Sequence, residues 1–221
     1  MFRDFKGVLT LKKVNIISTA SVVFGLMIFA FVLNLIIGEG EDEIGARALA
    51  TIMGTTGYVF LNMFIKLMFL SDEVPRGLSF GVTRRSLFLN ERLYDLLEVV
   101  IVAIVIGICW ENRDISIVTK VAAIVFGIFM YIEGIGGNAV CRYGKTAYWI
   151  YYIVMFALMI GLPKLFAMVQ PAHDAIAAFV EKIINSVYNQ LFVWLIILVF
   201  IGIGMLINWL TFRKVPVNAN V

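Results

Sequence analysis

Residues 70–97 read LSDEVPRGLSFGVTRRSLFLNERLYDLL and form the longest polar stretch between apolar runs in this chain. The stretch carries four arginines, Arg76, Arg84, Arg85 and Arg92, whereas the sequence before and after it is mostly apolar. A basic island of this size between two membrane spans is typical of the cytoplasmic side of a membrane protein. We therefore expect the function of the protein to depend on what docks on residues 70–97.

The composition indicates that most of the chain lies in lipid. Of the 221 residues, 62% are hydrophobic and the mean hydropathy is +0.96. Soluble domains are only about 45–50% apolar, so this excess is typical of a polytopic membrane protein. The loops are too short for a soluble catalytic domain, and the first apolar run is too long for a cleavable signal peptide. The net charge of +3 is no sign of nucleic-acid binding.

The apolar runs predict an all-α fold in a single transmembrane domain over residues 1–221. With about 20 residues as the length of a span, six transmembrane helices can be drawn. The predicted spans are Val14–Ile37, Ala48–Leu70, Leu93–Trp110, Ile117–Ile135, Thr146–Leu162 and Val187–Phe212.

Two further helices are predicted outside the spans. Residues 1–13 can form an N-terminal interfacial helix along the inner leaflet, with a frayed basic N-terminus as the alternative. Residues 163–186 form an outer helical insertion. Pro163 is expected to end or kink the fifth span, and Ala172–Ile184 has the pattern of a short amphipathic helix that re-enters the membrane or lies on its surface.

Lysine and arginine near the span ends fall mostly on one side, which predicts the orientation. That side has Arg3, Lys6, Lys12, Lys13, Lys66, the four arginines of the island, Arg142, Lys145, Arg213 and Lys214. The other side has only Arg47, Arg113, Lys120, Lys164 and Lys182. We therefore expect a multi-pass protein of the plasma membrane with its N- and C-termini in the cytoplasm.

The island itself, over residues 71–92, predicts two short helical pieces. Ser71 or Asp72 can cap the first, Gly77 and Gly81 break the chain, and Thr83 can cap a second helix that runs into the third span. Apolar residues that we expect to be exposed alternate with the arginines, a mixture that favours a protein interface. These are Leu78, Phe80, Val82 and Phe88. A basic loop that only sets topology is the alternative, but it does not explain the apolar residues.

Polar residues inside the spans are functional candidates because their burial in lipid is costly. Glu133 in the fourth span is the first candidate, and Asn62 in the second span is another. Glu133 either lines a translocation pathway or pairs with an arginine of the cytoplasmic side, and a pairing that only holds helices together remains equally open. The glycines that follow it, Gly134, Gly136 and Gly137, favour close helix packing.

Sequence signals for catalysis are weak. Ala139 followed by Gly144-Lys145-Thr146 matches a relaxed phosphate-loop pattern, but the first glycine is missing and the segment follows a membrane span. The sole histidine, His173, has no suitable partners for a hydrolase. The two cysteines lie on opposite predicted faces, and two thiols make no metal site. We expect the chain by itself to be neither an enzyme nor a holder of a cofactor or metal.

The segment FGVTRRSLF, residues 80–88, resembles the G-[VT]-[ST]-R-[RK]-x-x-F segment of bacterial ABC transporter permeases of the type-2 exporter class. In that family this loop contains the coupling helix, which docks on a separate ATPase subunit. The resemblance implies that the ATPase contacts are Arg76, Leu78, Phe80, Arg84, Arg85 and Phe88. It also implies a second permease copy or a homologous permease as partner, with ATP and Mg bound by the ATPase subunits.

The function that the resemblance implies is ATP-driven export by alternating access. The apolar, aromatic-rich spans favour a hydrophobic or amphipathic peptide, antimicrobial or lipid-like substrate over a sugar or ion. The alternative is a non-transporting accessory or immunity protein that binds a toxin or sensor. A secondary transporter or channel would favour more intramembrane charge pairs and often an internal repeat, and the two halves of the chain show no clear repeat. A membrane enzyme comes last because catalytic residues are missing.

Overall fold

The structure is a computed structural model that describes residues 2–37, 45–109, 115–168 and 190–216, with the single positions 174, 178 and 181. These residues form helices and short connections and include no strand, which confirms the all-α prediction for this part of the chain. The long helical segments are α1 (Phe2–Ile37), α2 (Ala46–Ser79), α3 (Arg84–Cys109), α4 (Ile115–Tyr143), α5 (Lys145–Met168) and α6 (Gln190–Phe212).

Four helices in the described part are long and apolar enough to cross a membrane: Lys12–Ile36 within α1, and the whole of α2, α4 and α6. The apolar section of α5, Lys145–Gly161, is shorter. The first half of α3 carries many charged residues. A membrane protein with several crossing helices is therefore supported, while the prediction of six spans remains a prediction for α3 and α5.

Two predicted breaks at the ends of spans are absent. α1 runs without interruption from Phe2 to Ile37, so residues 2–13 are not a separate interfacial helix. α5 continues past Pro163 to Met168, so this proline does not end the helix. The predicted outer helix Ala172–Ile184 lies outside the described residues, apart from positions 174, 178 and 181.

The island also differs from its prediction at its start. α2 continues through Ser71 and Asp72 to Ser79 with Pro75 inside the helix, so the predicted helix start at Ser71 or Asp72 is wrong. A proline inside a helix costs about 3 kcal/mol. Beyond Leu70 the helix has an apolar face, on which Val74 and Leu78 are almost completely buried. The free energy gained by burying these side chains outweighs the cost of the proline.

The break between α2 and α3 is shorter than predicted. Gly77 is helical, and only Gly81, at φ +78°, adopts the left-handed conformation that favours glycine. Thr83 begins α3 as predicted: its Oγ1 accepts a hydrogen bond from the Ser86 backbone N–H at 3.3 Å. The two long helices are therefore joined by a tight connection over residues 80–83.

Two π-helical turns interrupt α2 and α4. In α2 the turn spans Leu61–Ile65 and is followed directly by Lys66. In α4 the turn spans Glu133–Gly137 and begins with Glu133 itself. A π turn inside an α-helix adds a residue to one turn and is frequent at functional sites. In both helices it adjoins a charged residue of the interior.

Contacts between distant residues bring several helix ends together. Arg84 at the start of α3 donates to the Val215 carbonyl just beyond α6, at 3.1 Å. Cys141 near the end of α4 contacts the Leu70 carbonyl on α2, at 3.4 Å from Sγ. We call this end of the bundle the basic end, because its exposed residues include Arg76, Arg84, Arg85, Arg142, Arg213 and Lys214.

The buried apolar side chains form two clusters. One lies at the basic end and includes Leu70, Leu78, Leu87, Phe88 and Phe212. The other lies further along the helices and includes Val23, Tyr58, Leu61, Val99 and Met130. Between these two clusters, α2, α3 and α4 place charged residues in the interior, among them Lys66, Asp95 and Glu133. The charged layer is therefore sealed by apolar side chains on both sides along the helix axes.

Candidate functional site

Six charged side chains from four helices meet in the interior between the two apolar clusters. The six residues are each at most 4% exposed. Three are cations and three are carboxylates, so +3 and −3 sum to zero. We call this group the buried ion cluster; its members are Lys12, Lys66, Glu91, Arg92, Asp95 and Glu133.

Asp95 on α3 is the carboxylate that the cations of three helices share. Its Oδ1 lies 3.0 Å from Lys12 Nζ on α1 and 2.8 Å from Lys66 Nζ on α2. Its Oδ2 lies 3.2 Å from Nη2 of Arg92, one turn earlier on α3. Charges removed from water need such compensation, because an isolated buried ion is strongly unfavourable. Asp95 therefore ties α1 and α2 to α3.

Glu133 on α4 completes the cluster. One of its oxygens, Oε1, lies 3.0 Å from Lys66 Nζ, and Oε2 accepts a hydrogen bond from Arg92 Nη1. Arg92 also lies 3.5 Å from its neighbour Glu91 and places its guanidinium over the Phe88 ring, 5.4 Å from the ring centroid. The cluster therefore connects α4 to α2 and α3 as well.

The local sequence explains why these groups converge. Glu91 and Asp95 are four residues apart and therefore share one face of α3. Lys66 directly follows the π turn of α2, and an added residue changes which face of the helix the following side chains occupy. Glu133 is the first residue of the π turn of α4. The cluster is thus built from one ordinary helical face and two irregular turns.

The structure confirms one role predicted for Glu133, its pairing with an arginine. The partner is Arg92, which the sequence analysis assigned to the basic island and not to the interior. The roles of Lys12, Glu91 and Asp95 in the interior were not predicted. The signal available was the row of charges Glu91, Arg92, Asp95 and Glu98 leading into an otherwise apolar helix.

Asn62 is buried but is not among the ion pairs. Its Nδ2 donates to the Tyr58 carbonyl of its own helix at 3.1 Å, within the π turn of α2. The structure therefore places Asn62 on α2, one turn before Lys66 of the buried ion cluster.

The predicted docking residues divide into an exposed and a buried set. Phe80 is 74% exposed and the Arg76 side chain 67% exposed, and Arg84 and Arg85 are exposed as well. Leu78 and Phe88, which we expected on the surface, are only 6% and 5% exposed.

The burial of Leu78 and Phe88 corrects the predicted contact surface. The Phe88 ring packs on Trp209 and Phe212 of α6, with ring centroids 5.1 and 5.4 Å apart. Both residues lie on the helix faces that turn toward the bundle and are buried within this chain. The exposed surface that remains is Arg76, Phe80, Arg84 and Arg85.

α3 joins this exposed surface directly to the buried ion cluster. Arg84 occupies the first turn of α3 and Arg92 lies eight residues further, a rise of roughly 12 Å at 1.5 Å per residue. Because the helix is continuous between them, displacement of residues 80–85 would displace Arg92 and Asp95. Their partners lie on α1, α2 and α4.

A second polar contact ties α4 to α6. Asn138 Nδ2 lies 2.9 Å from Asn208 Oδ1 and 2.8 Å from Thr211 Oγ1, and Asn138 and Asn208 are buried. A Cβ added at Gly134 would lie only 3.0 Å from the Asn208 Cα. The close-packing role predicted for the glycines after Glu133 is therefore confirmed at this crossing.

Comparison with protein-family models, with characterised proteins and with solved structures found no match. Among the residues that the structure describes, no group of three or more His, Cys, Asp or Glu side chains is arranged to hold a metal ion. The site is thus defined by the buried ion cluster and by the exposed surface of Arg76, Phe80, Arg84 and Arg85, which we call the exposed loop.

Proposed function

We propose that the chain is the membrane-spanning permease subunit of an ATP-driven ABC exporter. The observation that supports this best is the tight connection between α2 and α3, whose exposed Arg76, Phe80, Arg84 and Arg85 stand at one end of a helix that enters the buried ion cluster. Arginine and aromatic side chains are enriched in protein interfaces. A permease needs a surface on which the ATPase can dock and a rigid helix that transmits the motion of that surface into the membrane.

In this proposal the chain crosses the plasma membrane six times, with both termini and the basic end in the cytoplasm. Separate ATPase subunits, which hold ATP and Mg, dock on the exposed part of the island. A second permease copy or a homologous permease completes the transmembrane pathway. The cargo is hydrophobic or amphipathic, in keeping with the apolar grooves between the helices. The chain itself performs no hydrolysis.

The buried ion cluster would connect the surface on which the ATPase docks to the helices that form the transport pathway. ATP can drive a change of access only if it binds the two states with different affinity. A loop displaced by the ATPase would move α3, and the pairs of Asp95 and Arg92 would carry that motion to α1, α2 and α4. Because an unpaired buried charge is unfavourable, these four helices would move together.

The test is co-purification of the permease with an ATPase subunit from its native host. Arg85→Glu reverses one exposed charge of the loop, and Arg76→Glu reverses another, whereas reversal of Arg84 would also remove the hydrogen bond to Val215. Arg142→Glu is the matched control, since Arg142 is exposed at the same end but lies outside the loop. We expect an ATPase with wild type and Arg142→Glu, and its loss with Arg85→Glu/Arg76→Glu. Recovery of no ATPase with any variant would refute the proposal.

A secondary transporter is the second candidate, and the buried ion cluster is the observation that favours it. Intramembrane charge pairs frequently belong to ion or proton pathways. The two proposals differ in energy source, so transport into proteoliposomes can separate them. Uptake that follows a proton or sodium gradient without any ATPase would favour the secondary transporter, and dependence on ATP with a co-purified subunit would favour the exporter.

A further inference from the structure

A narrow groove runs between α1 and α3, separate from the exposed loop. Its walls are mainly apolar and include Ala20, Val23 and Phe24 on α1 and Ile101, Val102 and Val105 on α3. Its volume is about 280 Å³, close to the lower limit of about 300 Å³ for ligand pockets. From Tyr94 to Val105 the lining follows α3 for roughly 16 Å at 1.5 Å per residue. The groove is long and thin.

A carboxylate lines this groove near the buried ion cluster. Glu98 lies one turn beyond Asp95 on α3, and its Oε1 is buried without a hydrogen-bond partner among the described residues. Lys66 interacts with it electrostatically, but Lys66 Nζ forms its close ion pairs with Asp95 at 2.8 Å and Glu133 at 3.0 Å. Glu98 is therefore a carboxylate beyond the three that balance the cations of the cluster.

The cation that also lines the groove, Lys12, is already neutralised. Its Nζ lies 3.0 Å from Asp95 Oδ1, and its side chain is 4% exposed. A positive group that enters the groove at the level of Glu98 therefore meets one uncompensated carboxylate oxygen. An anionic group at the same place would face that oxygen directly. Charge complementarity favours a cationic occupant.

We propose that the groove between α1 and α3 binds a single-chain cationic amphiphile from the membrane. The ammonium group would lie at Glu98, and one alkyl chain would lie against Val23, Phe24 and Val102. A volume of about 280 Å³ suits one chain better than the paired chains of a phospholipid. The role of this site in receiving cargo rests on the proposed exporter function, and it narrows the cargo to cationic single-chain amphiphiles.

The binding test uses the full-length protein in vesicles of uncharged phosphatidylcholine. The probe is an alkylammonium with a dodecyl chain that carries a diazirine, and the reference probe is the uncharged dodecyl alcohol with the same diazirine. After irradiation, mass spectrometry maps the labelled residues. We expect the cationic probe to label α1 and α3 along the groove at least fivefold more than the alcohol does.

Two variants separate ligand binding from a structural role of Glu98. Glu98→Gln keeps the shape and removes the charge, so the fivefold preference should disappear while labelling by the alcohol stays the same. Ala20→Trp fills the groove and should reduce labelling there by both probes, whereas Ala103→Trp, which faces other grooves of α3, should not. Equal labelling by the two probes, or a preference that persists in Glu98→Gln, would overturn the proposal.

The same samples keep this inference distinct from the proposed function. Labelling requires only the permease, whereas the exporter proposal requires an ATPase subunit in the co-purification. Cationic labelling without a co-purified ATPase supports the groove and refutes the exporter. A co-purified ATPase, together with equal labelling by the cationic and uncharged probes, supports the exporter and overturns the groove proposal.

Discussion

Lys66 on α2 and Glu133 on α4 form an ion pair, with Nζ 3.0 Å from Oε1, beside the π turn of each helix. Lys66 directly follows one π turn and Glu133 begins the other. The irregular backbone of the two apolar helices therefore lies next to the ion pair that links them. Because Lys66 also pairs with Asp95, this contact ties the two irregular helices to α3, which begins at the exposed loop.

Removal of one charge from this pair should destabilise the protein strongly. Arg92 and Lys66 share two carboxylates, Glu133 and Asp95. Glu133→Ala removes one of them and leaves excess positive charge in the interior, and breaking a buried pair costs about 3–5 kcal/mol. We expect a loss of that order in the free energy of unfolding, measured by titration with sodium dodecyl sulfate in mixed micelles.

The control for this prediction is Asp72→Ala. Its partner Arg76 lies 3.7 Å away, and the two side chains are 54% and 67% exposed, so the change should be below about 1 kcal/mol. Similar small losses for Glu133→Ala and Asp72→Ala would show that the buried ion cluster does not hold the helices together.

The contact between α4 and α6 should be sensitive to one methyl group. A Cβ on Gly134 would lie 3.0–3.3 Å from backbone and side-chain atoms of Asn208, and overpacking of a tight contact costs about 1–3 kcal/mol. Gly134→Ala should lower the unfolding free energy by that amount in the same titration. At Gly202 on α6 a Cβ meets nothing within 4 Å, so Gly202→Ala should be neutral or stabilising by up to about 1 kcal/mol. Equal effects of the two substitutions would contradict the packing described.

The amide pair between α4 and α6 should contribute less than the ion pairs. Asn208→Leu removes the acceptor that lies 2.9 Å from Asn138 Nδ2, and hydrogen bonds between membrane helices are worth about 1–2 kcal/mol at most. We expect Asn208→Leu to lower the unfolding free energy by about 1 kcal/mol. Asn138→Leu/Asn208→Leu should lose less than the sum of the two single effects, because both substitutions remove the same side-chain hydrogen bond. A double variant that loses the sum of both single effects would argue against a direct interaction.

The C-terminal end of α6 should control the order of the island. Val215 is 1% exposed in the apolar cluster of the basic end, and its carbonyl accepts from Arg84. Val215→Asp would place a carboxylate in that cluster, which is costly. Hydrogen exchange of the backbone amides of residues 86–88, the first two of which donate to Thr83, should become at least tenfold faster. Lys214→Asp changes an exposed neighbour and should leave exchange within a factor of about two. Unchanged exchange in Val215→Asp would show that the α3 start is held independently of the C-terminus.

The local features near Thr83 were predicted correctly because they depend on neighbours in sequence. Thr83 caps α3 through a hydrogen bond to Ser86, three residues on, and Gly81 is the one island glycine with a positive φ. The predicted helix start at Ser71 is wrong, because packing against residues distant in sequence keeps α2 helical through this position. The face that includes Val74 and Leu78 gains more from burial than the helix loses at Pro75.

The sequence by itself determined that the chain is helical and suited to a membrane, because hydrophobic runs long enough to span lipid must satisfy their backbone hydrogen bonds internally. It also singled out Glu133 as a costly residue that needs a partner. Only the tertiary structure decided that the partners are Lys66 and Arg92, and that Leu78 and Phe88 face inward. Those outcomes depend on how helices distant in sequence are rotated against one another, and the π turns Leu61–Ile65 and Glu133–Gly137 change that rotation for the residues that follow them.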